Sequence, residues 1–581
     1  MKTSSGAMFA GVEFRAPGPG SWELETSHLA RPMSTFVEPV TFRALQRGMD
    51  EGAERYGLKM PMRMAVVNRF TYVQRVTPSW PAWLGGTPPR SLMWLVTRLH
   101  PALREDAARC AQAFDSRLWR ADLERWDQID RPRCMALHRA LIAEDIEALD
   151  TEGLCAHLAR AEAHLAEMVV IHHRYNMACI LPVGEYVASV QEWTGASSGE
   201  VMEILRGSTP IAKGVAAAEL GVLAAALRES GEGRAALVKR GDARAVLDAL
   251  QAMAGPIGDA TRAYLDVVRF RSLGYDVTDR MFGELPEMLV GAIRAVVDGD
   301  TRETRLEGLA EKREALRARV PFGLRGQFDA LLEEARLVNR LRDERGLFAD
   351  SMGTGLARRA LLEAGRRLVA AGKLENAEQA AELKLPEVQG LLRGRSAPSI
   401  EEIQRRWTWR TTTRIEDAPR WLNAPPGPTP PIDVLPAPLR RGARAMSVIQ
   451  TEMLTEPEVA ERAETEPARV VSGLAINTGV YEGTARVVLD AADFDRIQRG
   501  DVLVTRSTSA YFNVVLPLLG ALVTDRGGQL SHAAIVAREY GIPGIVGTKE
   551  ATAVIPDGAL VRVDGTTGEV SLLSERSQVQ P

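Results

Sequence analysis

From about Pro39 to Trp421, apolar residues return every three or four positions in a background rich in Ala, Leu, Arg and Glu. That interval places them on one stripe of a 3.6-residue helix, so 154–171, 214–227, 325–347 and 357–371 are predicted as amphipathic helices. Strict alternation, the mark of a half-buried strand, is scarce there. The pattern changes at Val470. Short β-rich runs at 479–489, 501–505, 520–524, 544–546 and 560–573 are separated by Gly, Asp and Pro, with helices near Phe494 and Ser531 between them. Such a series predicts a compact α/β domain of about 105 residues, an ordinary single-domain size.

Between the two patterns lies 423–438, NAPPGPTPPIDVLPAP. Proline fixes φ and removes a backbone donor, which excludes a helix interior or a central strand and predicts an extended connector. The charged run 451–469 is predicted helical or flexible, the kind of hinge that a moving domain needs. The expected organisation is therefore multidomain: a large, mainly α-helical domain over 1–422, a connector and hinge over 423–469, the α/β domain over 470–574 and a tail over 575–581. No internal repeat is visible.

Composition narrows the class of protein. A chain of 581 residues is long enough for two to four domains, and a net charge of −4 with a pI near 6.2 does not suggest nucleic acid as a partner. No stretch reaches ~18 apolar residues and the N-terminus lacks a basic segment followed by an apolar one, so neither a membrane partner nor export is expected. The cysteines Cys110, Cys134, Cys155 and Cys179 show no CxxC pair or zinc spacing, which leaves no metal site expected. Free thiols in a reducing cytoplasm fit best, with a disulfide pair as the alternative.

The richest chemistry lies in 524–547, TDRGGQLSHAAIVAREYGIPGIVG. Gly527 and Gly528 lack Cβ atoms, so the backbone there turns tightly and brings N–H groups toward a phosphate. Ser531 is a predicted N-cap for a helix that Gly541 and Pro543 stop. His532 then sits at the helix N-terminus, where unpaired N–H groups and the dipole favour an added dianion. Imidazole is a nucleophile at neutral pH, so His532 is the candidate catalytic residue, with Thr524, Gly527, Gly528 and Ser531 as the phosphate cradle. The alternative is a buried histidine at an ordinary strand–helix turn.

This segment resembles the phosphohistidine segment of the PEP-utilizing enzymes, whose swivelling domain carries a phosphoryl group between two sites. The resemblance implies that His532 is the phosphorylated residue. More sparsely, Pro17-Gly18-Pro19-Gly20-Ser21-Trp22, His28-Leu29-Ala30-Arg31-Pro32-Met33-Ser34, and Gly274-Tyr275-Asp276 with Glu284 and Pro286 resemble the helical acceptor domain of family members that phosphorylate small molecules. Where those relatives often have Tyr-Gly-His-Arg, this chain has Val268-Arg269-Phe270-Arg271, without the histidine. No glycine-rich loop with a lysine for ATP is recognisable, and no PEP/pyruvate barrel follows. The chain is therefore expected to be a complete polypeptide that takes phosphate from ATP and Mg²⁺ through an ATP-grasp subunit in trans, and to act on a small hydroxyl acceptor.

Candidate acceptor-site residues come from the helical region. His157, His164 and His172 are seven and eight residues apart, so at ~100° per residue they share one helix face while His173 points elsewhere. They either line a pocket that supplies a general base or form a polar seam satisfied by neighbours. Arg340, Arg342 and Arg345, with Asp343, either clamp a phosphoryl group in transfer or form an ion-paired helix face. The aromatics Phe70, Tyr72, Trp80, Trp83 and Trp94 are read as core before pocket. The expected function is a phosphotransferase component. Its alternatives are a dehydratase or cyclase working through a transient phosphorylated alcohol, and a regulatory phosphocarrier.

Overall fold

The computed structural model describes residues 7–9, 12–26, 28–29, 31–59, 62–76, 88–209, 216–238, 242–299, 308–425, 431–454, 470–489, 491–508, 512, 515–529 and 531–573. Trp80, Trp83, the tail and most of the charged run 451–469 lie outside these residues. The chain divides into two compact units, Met1–Leu181 with Tyr275–Asp279 and Arg345–Arg444, and Pro182–Gly274 with Arg280–Glu344 and Ala445–Pro581. The helical region is thus shared between both units.

The first unit is built on three long helices, Glu38–Arg55, Thr151–Arg174 and Ser351–Ala370. Leu154, Leu158, Leu165, Ala357, Ala360 and Leu361 meet in its core, as the four-residue spacing predicts. Two helices touch backbone to backbone: a Cβ at Gly48 would stand 2.5 Å from the Val170 carbonyl oxygen, so no other residue fits there. The unit also contains a sheet that the sparse alternation did not reveal. Its antiparallel strands run in the order Met62–Val67, Phe70–Arg75, Trp22–Leu24 and Trp421–Leu422. Phe70 and Tyr72 are buried in that sheet's core, whereas Trp94 is 50% exposed and stacks under Arg98.

In the second unit, helices such as Ala217–Glu229, Pro256–Val268, Pro286–Val297 and Arg325–Asn339 accompany a mixed sheet. Its central strands, Val480–Val487, Val502–Thr505, Ala521–Thr524 and Gly544–Val546, are parallel, and antiparallel strands flank them. Every residue of Val502–Thr505 and Ala521–Thr524 is buried. This explains why those runs are continuously apolar: a parallel strand covered on both faces has no polar side. Two strands, Val470–Ser472 and Leu474–Asn477, and a helix, Ala437–Leu454, were not foreseen; the helix begins inside the proline-rich run read as extended.

Candidate functional site at a helix N-terminus

Strand Ala521–Thr524 ends in the turn that carries the glycines. Gly527 has φ +114°, and a Cβ there would lie 2.8 Å from the Ser531 side chain, so glycine is required twice over. The Ser531 N–H donates to the Gly528 carbonyl (3.0 Å), closing the turn, and Ser531 Oγ accepts from the Ala534 N–H (3.3 Å). Ser531 is the N-cap of helix His532–Tyr540, and Gly541 ends that helix in the left-handed conformation. The Thr524 hydroxyl donates to the Arg526 carbonyl (2.8 Å), so its proton is committed to shaping the turn.

The ring of His532 has two different edges. Nδ1 lies 3.0 Å from Thr508 Oγ1, a residue the sequence reading passed over because it sits in the loop after strand Val502–Thr505. Nε2 is buried and has no hydrogen-bond partner among the described residues. Burial, aided by the positive charge of Arg342, pushes the ring's pKa down to about 3, so the ring is neutral at physiological pH.

At the other end of the same helix, Glu539 is 4% exposed and accepts from the Gly207 N–H with both carboxylate oxygens (3.0 and 2.9 Å). Burial raises its pKa to about 7, opposed by the Gly207 N–H and by Arg206 and Arg336, while Asp343 adds to the rise. The α/β body is therefore bonded, through the far end of the histidine helix, to the loop that follows helix Ser198–Glu203.

Residues 497–568 match the description "PEP-utilising enzyme, mobile domain", and residues 174–343 match "rifampicin phosphotransferase fourth domain". The C-terminal body is similar to the PEP-utilising mobile domain. The chain is 34% identical over 333 residues to a rifampicin phosphotransferase of a Streptomyces species, covering 54% of this chain and 34% of that protein. It is 44% identical over 121 residues to the phosphoenolpyruvate synthase of Pyrococcus furiosus, covering 21% and 15%. It is also 26% identical over 589 residues to the chondramide synthase of Chondromyces crocatus, covering 95% of this chain and 14% of that one. The chain spans about a third of the length of the rifampicin phosphotransferase relative.

The other candidates separate. His157 and His164 are buried, and each has its own partner: His157 pairs with Glu144, and His164 Nε2 lies 2.9 Å from His138 Nδ1, whose other nitrogen meets the Phe348 carbonyl. These two form a polar seam, and the shared helix face does not gather the three histidines into one pocket. His173 is a correction, since its ring centroid is 4.5 Å from that of His172. Of the arginines, Arg340 pairs with Glu344 (2.8 Å), Arg345 donates to Asn176 Oδ1 and the His172 carbonyl, and Arg342 alone is associated electrostatically with His532. The three do not converge. The structure does join two pieces of the sparse N-terminal motif, because Asp276 Oδ2 accepts from the Ser34 N–H (2.8 Å) and His28 packs edge-on against Tyr275. All four cysteines are buried and unpaired. No helix among the described residues is long and apolar enough to cross a membrane.

Proposed function

We propose that the chain is a phosphotransferase component that carries a phosphoryl group on Nε2 of His532 and delivers it to a hydroxyl of a small organic molecule. The observation that carries this reading is the asymmetry of the ring: Thr508 holds Nδ1, while Nε2 is left without a partner at a helix N-terminus. With the proton on Nδ1, the lone pair of Nε2 attacks phosphorus. The helix N–H groups and Arg342 then face the added dianion. ATP and Mg²⁺ belong, in this reading, to an ATP-grasp subunit in trans. Because Nε2 is buried where the mobile domain now rests, charging requires that domain to leave its seat on the Gly207 loop.

Purified chain, combined with an ATP-grasp subunit and ATP labelled at the β-phosphate, should acquire one acid-labile, base-stable label, and His532→Ala should acquire none. Without that subunit, neither label nor AMP should appear. Joining Gly199→Cys to Gln529→Cys with a short cross-linker would tie the mobile domain to its seat, since a Cβ at Gly199 lies 3.2 Å from Gln529 Oε1. The tied protein should charge at least about tenfold more slowly. Labelling of the alanine variant, or normal charging of the tied protein, would rule the reading out.

A further inference from the structure

The first unit holds a second group of titratable side chains that the carrier chemistry does not use. His172, in the last turn of Thr151–Arg174, places Nδ1 3.0 Å from Asp350 Oδ2. Asp350 ends a π-helical turn, Gly346–Asp350, that immediately precedes helix Ser351–Ala370. Such a turn admits an extra residue and re-aims the side chains around it, and π turns concentrate at functional sites.

Around this pair, His173 packs against His172, and Arg345 Nη1 donates to the His172 carbonyl (3.1 Å). His28, held by Glu25 at 3.1 Å, lies within electrostatic reach of both His172 and Asp350. Side-chain exposure falls from 58% at His28 to 16% at His172 and 9% at Asp350, so the group leads from the surface inward. Asp350 Oδ1 is buried and accepts from no donor among the described residues. A buried carboxylate oxygen with unused acceptor capacity is an open place for a ligand's donor.

We propose that His172 and Asp350 form the site that receives the acceptor's hydroxyl, with His172 as general base and Asp350 as the residue that positions it. This rests on the carrier reading above. His172 Nδ1 lies 3.0 Å from Asp350 Oδ2, at ion-pair distance without hydrogen-bond alignment, so the carboxylate acts on the ring by its charge and Nε2 takes the hydroxyl proton. The acceptor oxygen forms a bond to phosphorus and the P–N bond to His532 breaks. Its electron pair returns to the His532 ring, which leaves as neutral imidazole with its proton on Nδ1. Asp350 balances the imidazolium formed at His172 until its proton passes to solvent.

The test has two arms on the full-length protein. In the first, His532 is charged with potassium phosphoramidate, its peptide is followed by mass spectrometry, and transfer to methanol and to phenol is read by phosphorus NMR. His172→Asn should leave charging unchanged and slow transfer by about 100-fold or more. In the second, the pH profile of carbethoxylation at His172 is compared between the native protein and Asp350→Asn, with His28, His173 and Arg345 unchanged in both. The midpoint should fall by roughly one unit when the carboxylate is lost. Transfer at the native rate in His172→Asn overturns the proposal. If neither alcohol accepts phosphate, or if His532 cannot be charged and the carrier reading itself fails, the carbethoxylation profile decides: a shifted midpoint supports the pair and an unmoved one overturns it.

Discussion

Two helices in this protein carry the histidines that matter, and they use them in opposite ways. Helix His532–Tyr540 has one histidine, placed at its first turn by a glycine turn and a serine cap, with a nitrogen left unbonded. Helix Thr151–Arg174 has four, and two of them, His157 and His164, are consumed by buried partners. Regular spacing along a helix collects residues on a face, and a face packed into a core satisfies its polar groups internally. A turn fixes one side chain against backbone donors.

The sharpest way to break that contrast is to remove histidines from each helix. His532→Ala should abolish phosphorylation while leaving the fold intact, since it deletes a part-buried ring with one hydrogen bond. His157→Ala and His164→Ala should do the reverse, retaining phosphorylation while losing about 2–4 kcal/mol of stability, because each leaves a cavity and an unpaired polar partner. Radiolabel incorporation and urea unfolding on the three variants give the comparison. A His164→Ala protein that folds normally and cannot be charged would end it.

Next in size is the contrast between arginines. Arg342 acts on the His532 ring and Arg340 is committed to Glu344. Arg342→Gln should slow charging or transfer by roughly 10- to 100-fold, the usual loss when one donor to a developing phosphoryl charge is removed. Arg340→Gln should change either rate by less than about threefold, because its guanidinium is engaged by Glu344 one helical turn away. Equal effects of the two would mean that the cluster acts as a general positive field.

What the sequence revealed follows the same division. The helix over 151–174, the central strands and the turn around His532 were all visible, because each is set by local periodicity or local turn chemistry. Thr508 and the pair His172–Asp350 were not. Their partners are 24 and 178 residues distant in sequence, and no local signal marks such a meeting. The four-stranded sheet was missed because its strands come from 22–24, 62–75 and 421–422, each too short or too far apart to show alternation. Of the two readings of Arg340, Arg342 and Arg345, the ion-paired helix face is met at Arg340 with Glu344, and positions close in a helical sequence point to different surroundings.

A smaller effect tests the turn itself. Gly527→Ala places a methyl group 2.8 Å from Ser531 in a backbone conformation that alanine resists, and it should cost about 1–3 kcal/mol. The strain falls on the residue that caps the histidine helix, so the phosphorylation rate should drop together with stability. Gly221→Ala, at a helical position with open space around it, should be neutral or slightly stabilising. Thermal unfolding of both proteins checks this, and equal melting temperatures would show that the turn relaxes without consequence.

The smallest predicted effect concerns pH and the two ends of the histidine helix. Burial against the Gly207 loop raises the Glu539 pKa to about 7 from the ordinary 4.5, the value expected if the proposed carrier leaves that seat. The seated form therefore binds the proton more tightly, and its advantage is present below about pH 4.5 and is lost as pH rises through 7. His532 works in the opposite sense. Its pKa is depressed to about 3, so stability is held above the ordinary histidine value of 6.5 and lost as pH falls toward 3. Between pH 4.5 and 6.5 the two oppose each other, which leaves a single profile ambiguous. Glu539→Gln removes one of them: the amide does not titrate and its oxygen still accepts from the Gly207 N–H. At pH 8 the variant should hold its seat more tightly than the native protein, and the difference should shrink as pH falls toward 4.5. Hydrogen exchange at the Gly207 amide, corrected for the intrinsic effect of pH, reads the seat directly. If the native protein and the variant show the same slope from pH 5 to 8, the carboxylate stays ionised when seated, and the Gly207 N–H together with Arg206 and Arg336 outweighs its burial.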